Sequence, residues 1–341
     1  MNLPNLTPDL AAIRKARAAI AGTVLRTPCL HAAGLSALAG REIVLKLESL
    51  QPTGAFKLRG ATNAVSRLSE EQRRLGVACC STGNHGRALA YAAARAGIRA
   101  VVCLSALVPE NKVEAIRALG AEVRRVGQSQ DDAQREVERL VQQEGITDIP
   151  PFDHPDVIAG QGTIGLELLE DRPDLSTIVV PLSGGGLISG IALAAKALKP
   201  EIRIIGVSMA QGAAMHESLA AGRPVEVTEV ASLADSLGGG IGLDNRYTFA
   251  ICRALVDETI LVSEEEIYRA MQAMFLQQRL VTEGAAAVGV AALLAGKLRL
   301  GGATAMIVSG HNIDPNQFLA IAAGQTVRLG DQLVKANGVK G

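Results

Sequence analysis

The chain has 341 residues, of which 48% are hydrophobic but only 2% aromatic, so its core must be built of Ala, Val, Leu and Ile. Such a core is typical of sheets covered by helices on both faces, and the length allows two domains or one large α/β unit. Lys and Arg together number 34, as do Asp and Glu, and this balance without a basic tract argues against nucleic-acid binding. No apolar run is long enough to span a membrane and no signal-peptide pattern is present, so we expect a cytoplasmic protein.

The first half of the chain predicts strands and helices in alternation. An Ala-rich amphipathic helix over 7–21 would be capped by Thr7 or Asp9. After it, strands are predicted at 43–47, 77–81, 100–104 and 122–126, and helices at 57–65, 85–96, 110–119 and 131–143. Repeated strand–helix units imply a parallel sheet with right-handed crossovers. Five cysteines without CxxC spacing predict reduced thiols, most of them in the core.

Three prolines within 149–155 break this rhythm and indicate a crossing between domains. We predict a small domain over 50–149 and a large domain over 1–49 and 150–341. In the second half, strands are predicted at 177–180, 202–208, 256–262 and 304–309, and helices at 164–170, 187–199, 263–279 and 285–296. Ser263 and Glu266 form the capping box of one of these helices. The region 225–246 is predicted to be irregular.

The stretch 51–60 sets Lys57 among small residues and Phe56, between a strand and a helix. A lysine that loses hydration has a lowered amine pKa and becomes a nucleophile for carbonyl chemistry. The alternative is an ordinary first-turn lysine with its amine in water.

Ser183-Gly-Gly-Gly-Leu187 joins a predicted strand to a helix N-terminus, where backbone N–H groups and the helix dipole favour an anion. Its glycines also resemble a dinucleotide fingerprint, which expects an acidic residue at the end of the next strand. That strand ends Gly206-Val-Ser-Met209 without a carboxylate. A single phosphate therefore fits this loop better than a dinucleotide does.

Ser81-Thr-Gly-Asn-His85 is a second small-residue loop between a strand and a helix. The hydroxyls of Ser81 and Thr82, with the loop N–H groups, could bind a substrate carboxylate, and Asn84 could donate to a phenolate-type oxygen. The alternative is an ordinary N-cap by Ser81, Thr82 or Asn84.

Ser309-Gly-His-Asn312 follows an apolar strand, and ligands gather at the carboxyl ends of parallel strands. His311 alone indicates a packed histidine, and helix-dipole complementarity is an adequate account of Glu283. A lysine, a phosphate cradle and a strand-end hydroxyl are together the three attachments that pyridoxal phosphate needs.

The segments 54–60, 81–85, 183–186 and 309–312, in this order and spacing, resemble the serine/threonine dehydratase family of pyridoxal-phosphate enzymes. The resemblance covers roughly residues 20–325 and implies the two-domain α/β fold of tryptophan synthase β-subunits (fold type II), with the cofactor in the cleft. It implies Lys57 as the Schiff-base lysine and Ser309 as the partner of the ring nitrogen. The implied cofactor-binding set is Phe56, Lys57, Asn84, Ser183, Gly184, Gly185, Gly186, Leu187, Glu283 and Ser309. The implied substrate-binding set is Ser81, Thr82, Gly83, Asn84 and His85, with Lys57 and Thr82 as catalytic residues.

The resemblance implies a lyase that eliminates the β-hydroxyl of a 3-hydroxy amino acid and yields a 2-oxo acid and ammonia. The alternatives are an L-threonine/L-serine or 3-hydroxyaspartate dehydratase, a serine-racemase-like enzyme that uses Thr82, and a non-catalytic amino-acid-binding protein. Family members that bind a divalent metal carry carboxylates where 206–215 has none, so no metal site is predicted.

The segment 233–247, together with His311, looks closer to the hydroxyectoine-utilisation branch of the family. There Arg246 would meet a distal group of the substrate, or else pair with Asp244 at the surface. A homodimer is expected from the resemblance alone.

Overall fold

The computed structural model describes residues 7–81, 83–108 and 110–335. The strands are β1 (Cys29–His31), β2 (Ile43–Leu47), β3 (Val77–Cys80), β4 (Ala100–Leu104), β5 (Glu122–Arg125), β6 (Thr147–Asp148), β7 (Thr177–Pro181), β8 (Arg203–Met209), β9 (Glu258–Val262), β10 (Thr304–Val308), β11 (Val327–Leu329) and β12 (Gln332–Val334). The helices are α1 (Leu10–Ile20), α2 (Ala33–Ala39), α3 (Lys57–Ser66), α4 (Glu70–Leu75), α5 (Asn84–Ala96), α6 (Glu110–Arg117), α7 (Gln130–Glu144), α8 (Pro155–Asp171), α9 (Gly186–Leu198), α10 (Ala214–Ala221), α11 (Thr248–Leu255), α12 (Glu264–Gln278), α13 (Gly284–Leu294) and α14 (Pro315–Ala322).

Two sheets organise the chain. The larger has the strand order β1-β2-β10-β7-β8-β9 and the smaller has the order β5-β4-β3-β6. Every pair in them is parallel except β1 with β2. The predicted α/β class, with parallel sheets between helices, is confirmed. The strands β11 and β12 form a separate antiparallel hairpin.

Each sheet has a hydrophobic core on both faces, because successive side chains of a strand point to opposite sides. In β2, Leu45 and Leu47 belong to the core on one face and Val44 to the core on the other. In β3, Cys79 and Cys80 divide between the two cores of the smaller sheet in the same way. All five cysteines are free, as predicted. Within the described ranges, no helix is long and apolar enough to cross a membrane.

The prediction for α8 is wrong at its start, since the helix begins at Pro155 and not near residue 164. Gly160, Gly162 and Gly165 give this stretch a low helix propensity. The glycines allow close helix packing instead, because a Cβ on Gly160 would lie 2.5 Å from the carbonyl oxygen of Arg59 in α3. The sequence predictions also missed several short elements, namely α2, α4, α10, α11, β6 and the β11–β12 hairpin.

The carboxyl ends of β3, β7 and β10 lead directly into the predicted motifs. The lysine stretch is held beside the end of β10 by backbone contacts. Ala55 forms an antiparallel bridge with Gly310, and the N–H of Phe56 donates to the carbonyl oxygen of Ser309 at 3.0 Å. These contacts place the start of α3 next to the end of β10, where both motifs contribute to one site.

Candidate active site

A cavity of about 310 Å³ lies where the motifs meet, which is the size of a small-molecule site. Of the residues predicted from the sequence, those that line it are Phe56, Lys57, Ser81, Gly83, Asn84, His85, Ser183, Gly184, Gly185, Gly186, Leu187, Glu283 and Ser309. Thr82, the remaining predicted site residue, lies outside the described residues. The structure thus brings five segments, far apart in the chain, to one cavity.

Lys57 is the first residue of α3, and its Nζ donates to the carbonyl oxygen of Pro151 at 2.6 Å. The same nitrogen lies 5.3 Å from the ring centre of Phe56. Burial lowers the pKa of Lys57 to about 8, although the carboxylate of Glu283 acts in the opposite direction. The amine is thus held at a backbone carbonyl in a partly buried position, which favours the nucleophilic lysine over an ordinary lysine with its amine in water.

The glycine loop between β7 and α9 is shaped by close contacts that only glycine allows. Gly185 is the N-cap of α9 and has a φ of 88°, in the left-handed region. A Cβ on Gly184 would lie 2.5 Å from the ring of Phe152. The first N–H groups of a helix have no partner within the helix, so this cavity-lining turn offers donors and a positive dipole end to an anion.

Three polar side chains form a hydrogen-bonded chain across the cavity wall. Asn312 Nδ2 donates to Asn84 Oδ1 at 2.6 Å, and Asn84 Nδ2 donates to the two oxygens of Glu283 at 2.9 and 3.1 Å. Arg87 donates to the amide oxygen of Asn312. Because the amide oxygen of Asn312 accepts from Arg87, the amide nitrogen of Asn312 is the atom that donates to Asn84. The amide of Asn84 therefore also has one orientation, with its oxygen toward Asn312 and its nitrogen toward Glu283.

The N-cap explanation of Asn84 is wrong, whereas Glu283 does stand at a helix N-terminus, where the helix dipole favours an acidic residue. Glu283 is the N-cap of α13, but its side chain makes no capping bond and turns instead to Asn84 and to the hydroxyl of Ser236, at 3.2 Å. Burial raises the pKa of Glu283 to about 7, and the nearby charge of Asp235 adds to this. The N-cap of α5 is Gly83, so the side chain of Asn84 does not cap the helix either.

His85 is neutral, because burial and the nearby charge of Lys57 lower its pKa to about 3. Its Nε2 lies 2.7 Å from the carbonyl oxygen of Ile149 and therefore carries the proton and donates. The ring is thus a fixed, uncharged part of the wall that carries the predicted carboxylate loop.

Sequence reasoning missed the part of the cavity wall formed by Glu229 and residues 235–239. The sequence marks the irregular, glycine-rich segment 233–247 as distinctive, but within it a substrate contact is predicted only for Arg246 and not for residues 235–239. Arg246 does not line the cavity; it is exposed, and its backbone N–H donates to Asp153 at 2.7 Å. Within the described part of the chain, no three His, Cys, Asp or Glu residues are grouped so that they could hold a metal ion.

Comparison with known proteins identifies the family to which this chain is similar. The family model described as "Pyridoxal-phosphate dependent enzyme" matches residues 20–310. A Sinorhizobium fredii protein named "Putative threonine dehydratase" is 56% identical over 313 residues, which are 92% of this chain and 94% of that protein. The L-threonine ammonia-lyase of Thermotoga maritima is 41% identical over 319 residues, which cover 93% of this chain and 79% of that protein. The structure of maize serine racemase has a TM-score of 0.87 and 36% identity, and the match covers 91% of this chain and 95% of that one.

The residues present fit pyridoxal phosphate. An amine of lowered pKa, Lys57, faces the same cavity as the hydroxyl-bearing Ser309, and the glycine loop leaves no room for a Cβ at Gly184, which would lie 2.5 Å from the ring of Phe152 in the cavity wall. The family model matches most of the chain, and both curated relatives align over more than nine-tenths of it. The chain therefore belongs to the serine/threonine dehydratase family of pyridoxal-phosphate-dependent enzymes.

Proposed function

We propose that this enzyme is a lyase that removes the β-hydroxyl and the amino group of a 3-hydroxy amino acid, leaving a 2-oxo acid and ammonia. One observation carries the proposal: Lys57, Asn84, the glycine loop and Ser309 all line a single cavity. Its support from the comparisons is 41% identity to an L-threonine ammonia-lyase.

When bound, pyridoxal phosphate supplies an electron sink for the α-carbon of the substrate. Lys57 would hold the cofactor through Nζ, and the N–H groups of residues 184–187 would hold its phosphate. A lysine with a pKa of about 8 is suited to take the α-proton near neutral pH. Ser309 would form a hydrogen bond with the ring nitrogen of the cofactor. A hydroxyl does not force that nitrogen to stay protonated, as a carboxylate would. The ring is then a weaker electron sink, and this favours loss of the β-hydroxyl over transamination.

Residues 81–85 would bind the substrate carboxylate through the backbone N–H groups that precede α5. Thr82 is assigned to carboxylate binding by its hydroxyl in this loop, and to a racemase reaction by the family resemblance alone. Asn84 would contact the 3-hydroxyl of the cofactor. The fixed orientation of its amide, bonded on both sides, supports this assignment.

The proposal includes a small domain over 50–149 and a large domain over 1–49 and 150–341, with the cofactor between them. Its support is that strand ends of both sheets contribute to the cavity. A homodimer and a cytoplasmic location belong to the same proposal, and light scattering of the purified enzyme tests the dimer.

For the substrate, we propose a 3-hydroxy amino acid from hydroxyectoine breakdown. The support is the unusual segment 233–247, part of which lines the cavity. L-Threonine or L-serine is the second candidate, because relatives named for threonine are 56% and 41% identical. A racemase is the third candidate, on the likeness to the maize enzyme.

The test is release of 2-oxo acid and ammonia by the purified holoenzyme from threonine, serine, 3-hydroxyaspartate and hydroxydiaminobutyrate derivatives. We expect Lys57→Ala to abolish both turnover and the visible absorbance of the lysine-bound cofactor. The control, Lys15→Ala, changes an exposed lysine of α1 and should alter neither. A cofactor that binds without turnover of any amino acid would instead support a binding protein.

A further inference from the structure

The proline-rich segment 149–153, where the chain crosses between the two predicted domains, contacts several parts of the site. The carbonyl oxygen of Pro151 accepts from Lys57 Nζ at 2.6 Å, and Phe152 lines the cavity. The next residue, Asp153, forms hydrogen bonds with a distant part of the chain. A segment with these contacts can hold separate parts of the site in register with one another.

The carboxylate of Asp153 binds the start of α11. Its two oxygens accept the backbone N–H groups of Arg246, Tyr247 and Thr248 at 2.7, 3.0 and 2.9 Å. The first N–H groups of a helix have no partner within the helix, and the helix dipole also favours a carboxylate at this end. Asp153 therefore fixes the position of α11 relative to the crossing segment.

The two elements that these hydrogen bonds join both pack against the glycine loop. A Cβ on Gly184 would lie 2.5 Å from the ring of Phe152, and one on Gly186 would lie 2.9 Å from the Cα of Phe152. A Cβ on Gly185 would lie 3.1 Å from the Cβ of Thr248. Each glycine of the loop is thus in close contact with one of the two joined elements.

We infer that Asp153 is a positioning residue for the phosphate of the cofactor, because it holds Phe152 and the start of α11 together and these two shape the glycine loop. The inference rests on the proposed function, which assigns the phosphate to this loop. Asp153 itself does not line the cavity, so it acts through its neighbours and not by contact with the cofactor.

The experiment titrates the full-length enzyme, freed of cofactor, with pyridoxal phosphate and with pyridoxal, which lacks the phosphate. Visible absorbance measures both affinities, since both compounds react with the lysine. We expect Asp153→Ala to weaken the binding of pyridoxal phosphate about tenfold and to change that of pyridoxal less than about twofold. A selective loss identifies an effect on the phosphate site, because a general disturbance of the fold would weaken both.

Two further variants separate the hydrogen bonds from the charge. Asp153→Asn keeps an oxygen that can accept from Tyr247 and Thr248, and asparagine is about as effective as aspartate at a helix start. We therefore expect it to restore most of the affinity for pyridoxal phosphate. The matched control is Asp9→Ala, which removes the N-cap carboxylate of α1 and its 2.7 Å bond to the N–H of Ala12, and it should change neither affinity.

The start of α11 keeps one cap when Asp153 is replaced, because Asn245 Oδ1 accepts the N–H of Phe249 at 2.8 Å. If Asp153→Ala nevertheless fails to fold, Asp153→Ser provides the same test, since a shorter side chain with one acceptor cannot span all three N–H groups. We expect the same selective loss from it.

Unchanged or tighter binding of pyridoxal phosphate by Asp153→Ala would overturn the inference, as would an equal loss for pyridoxal. A loss in Asp153→Asn as large as that in Asp153→Ala would also overturn it, since the charge and not the link would then matter. If the wild type binds the cofactor and dehydrates an amino acid while these results are negative, the inference alone fails. If the wild type does not bind pyridoxal phosphate, the proposed function fails with it.

Discussion

Lys57 shows how one residue acquires its chemistry from its surroundings. Burial disfavours the ammonium form and lowers the pKa of Lys57 from 10.5 to about 8. Below its pKa the amine carries a proton and cannot attack a carbonyl; above it, the free amine predominates.

We therefore expect covalent binding of pyridoxal phosphate to the apoenzyme to accelerate as the pH rises and to level off above about 8. Stopped-flow absorbance over a series of pH values measures this rate. A midpoint near 10.5, the ordinary value, would mean that burial of Lys57 does not control the reaction.

Asn312 is a positioning residue in the hydrogen-bonded chain that ends on Glu283. Its Nδ2 donates to Asn84 Oδ1 and, at 2.9 Å, to the carbonyl oxygen of Thr53. A carboxylate in its place has no donor and would face two acceptors.

We expect Asn312→Asp to reduce kcat about tenfold or more and to shift the visible spectrum of the bound cofactor, because Asn84 loses its fixed orientation. Steady-state kinetics and absorbance of the holoenzyme measure both effects. The same substitution at the exposed Asn316 is the control and should change neither. A variant with normal kcat and spectrum would show that the chain does not orient Asn84.

At the scale of elements, the glycine loop depends on how closely Phe152 packs against it. The 2.5 Å separation between a Cβ on Gly184 and the ring of Phe152 is shorter than real contacts allow. A side chain at this position must displace the ring, which itself lines the cavity.

We expect Gly184→Ala to weaken pyridoxal phosphate binding about tenfold, the equivalent of a moderate overpacking cost. Titration of the apoenzyme with the cofactor measures the affinity. Gly301→Ala is the control, because its Cβ would meet nothing within 4 Å. Unchanged affinity in the Gly184 variant would show that the cradle tolerates the shift of Phe152.

At the scale of the whole molecule, a buried ion-pair network ties the lysine-bearing helix to the larger sheet. Arg59 of α3 pairs with Glu48, which follows β2, at 2.8 Å and with Glu167 of α8 at 2.7 Å. Lys46 of β2 pairs with the same Glu167 at 2.6 Å. The side chains of Arg59, Glu48 and Lys46 have no exposed surface, so each charge depends on its partners.

We expect Arg59→Met to lower the free energy of unfolding by about 3–5 kcal/mol, because it leaves two buried carboxylates without their main cation. Urea unfolding of the purified protein measures the loss. The control is Arg99→Met, which removes an arginine with exposed partners and should cost about 0–1 kcal/mol. Similar losses for the two variants would mean that the network does not hold α3 in place.

Most regular elements could be predicted from the sequence, because their signals are local. Short continuous apolar runs predicted β2 and β4, and capping residues predicted α12, each within a residue or two; Ser263 and Glu266 form the predicted capping box. The four motifs at the strand ends predicted the cofactor. They also contain nearly all of the predicted site residues that line the cavity. Their spacing is enough to predict that they meet at one site, because parallel strands present their carboxyl ends at the same edge of a sheet.

Only the tertiary structure decided which polar residues lie together. Lys46, in a strand-like run, is fully buried against Glu167, 121 positions away, and the Asn84–Glu283 contact spans 199 positions. The glycines of α8 reduce helix propensity in the sequence but, in the fold, let the backbones of α8 and α3 touch. Glu229 becomes part of the active-site wall only when an irregular segment folds over the cavity. Such pairings depend on packing between distant segments, and a pattern of neighbouring residues carries no information about them.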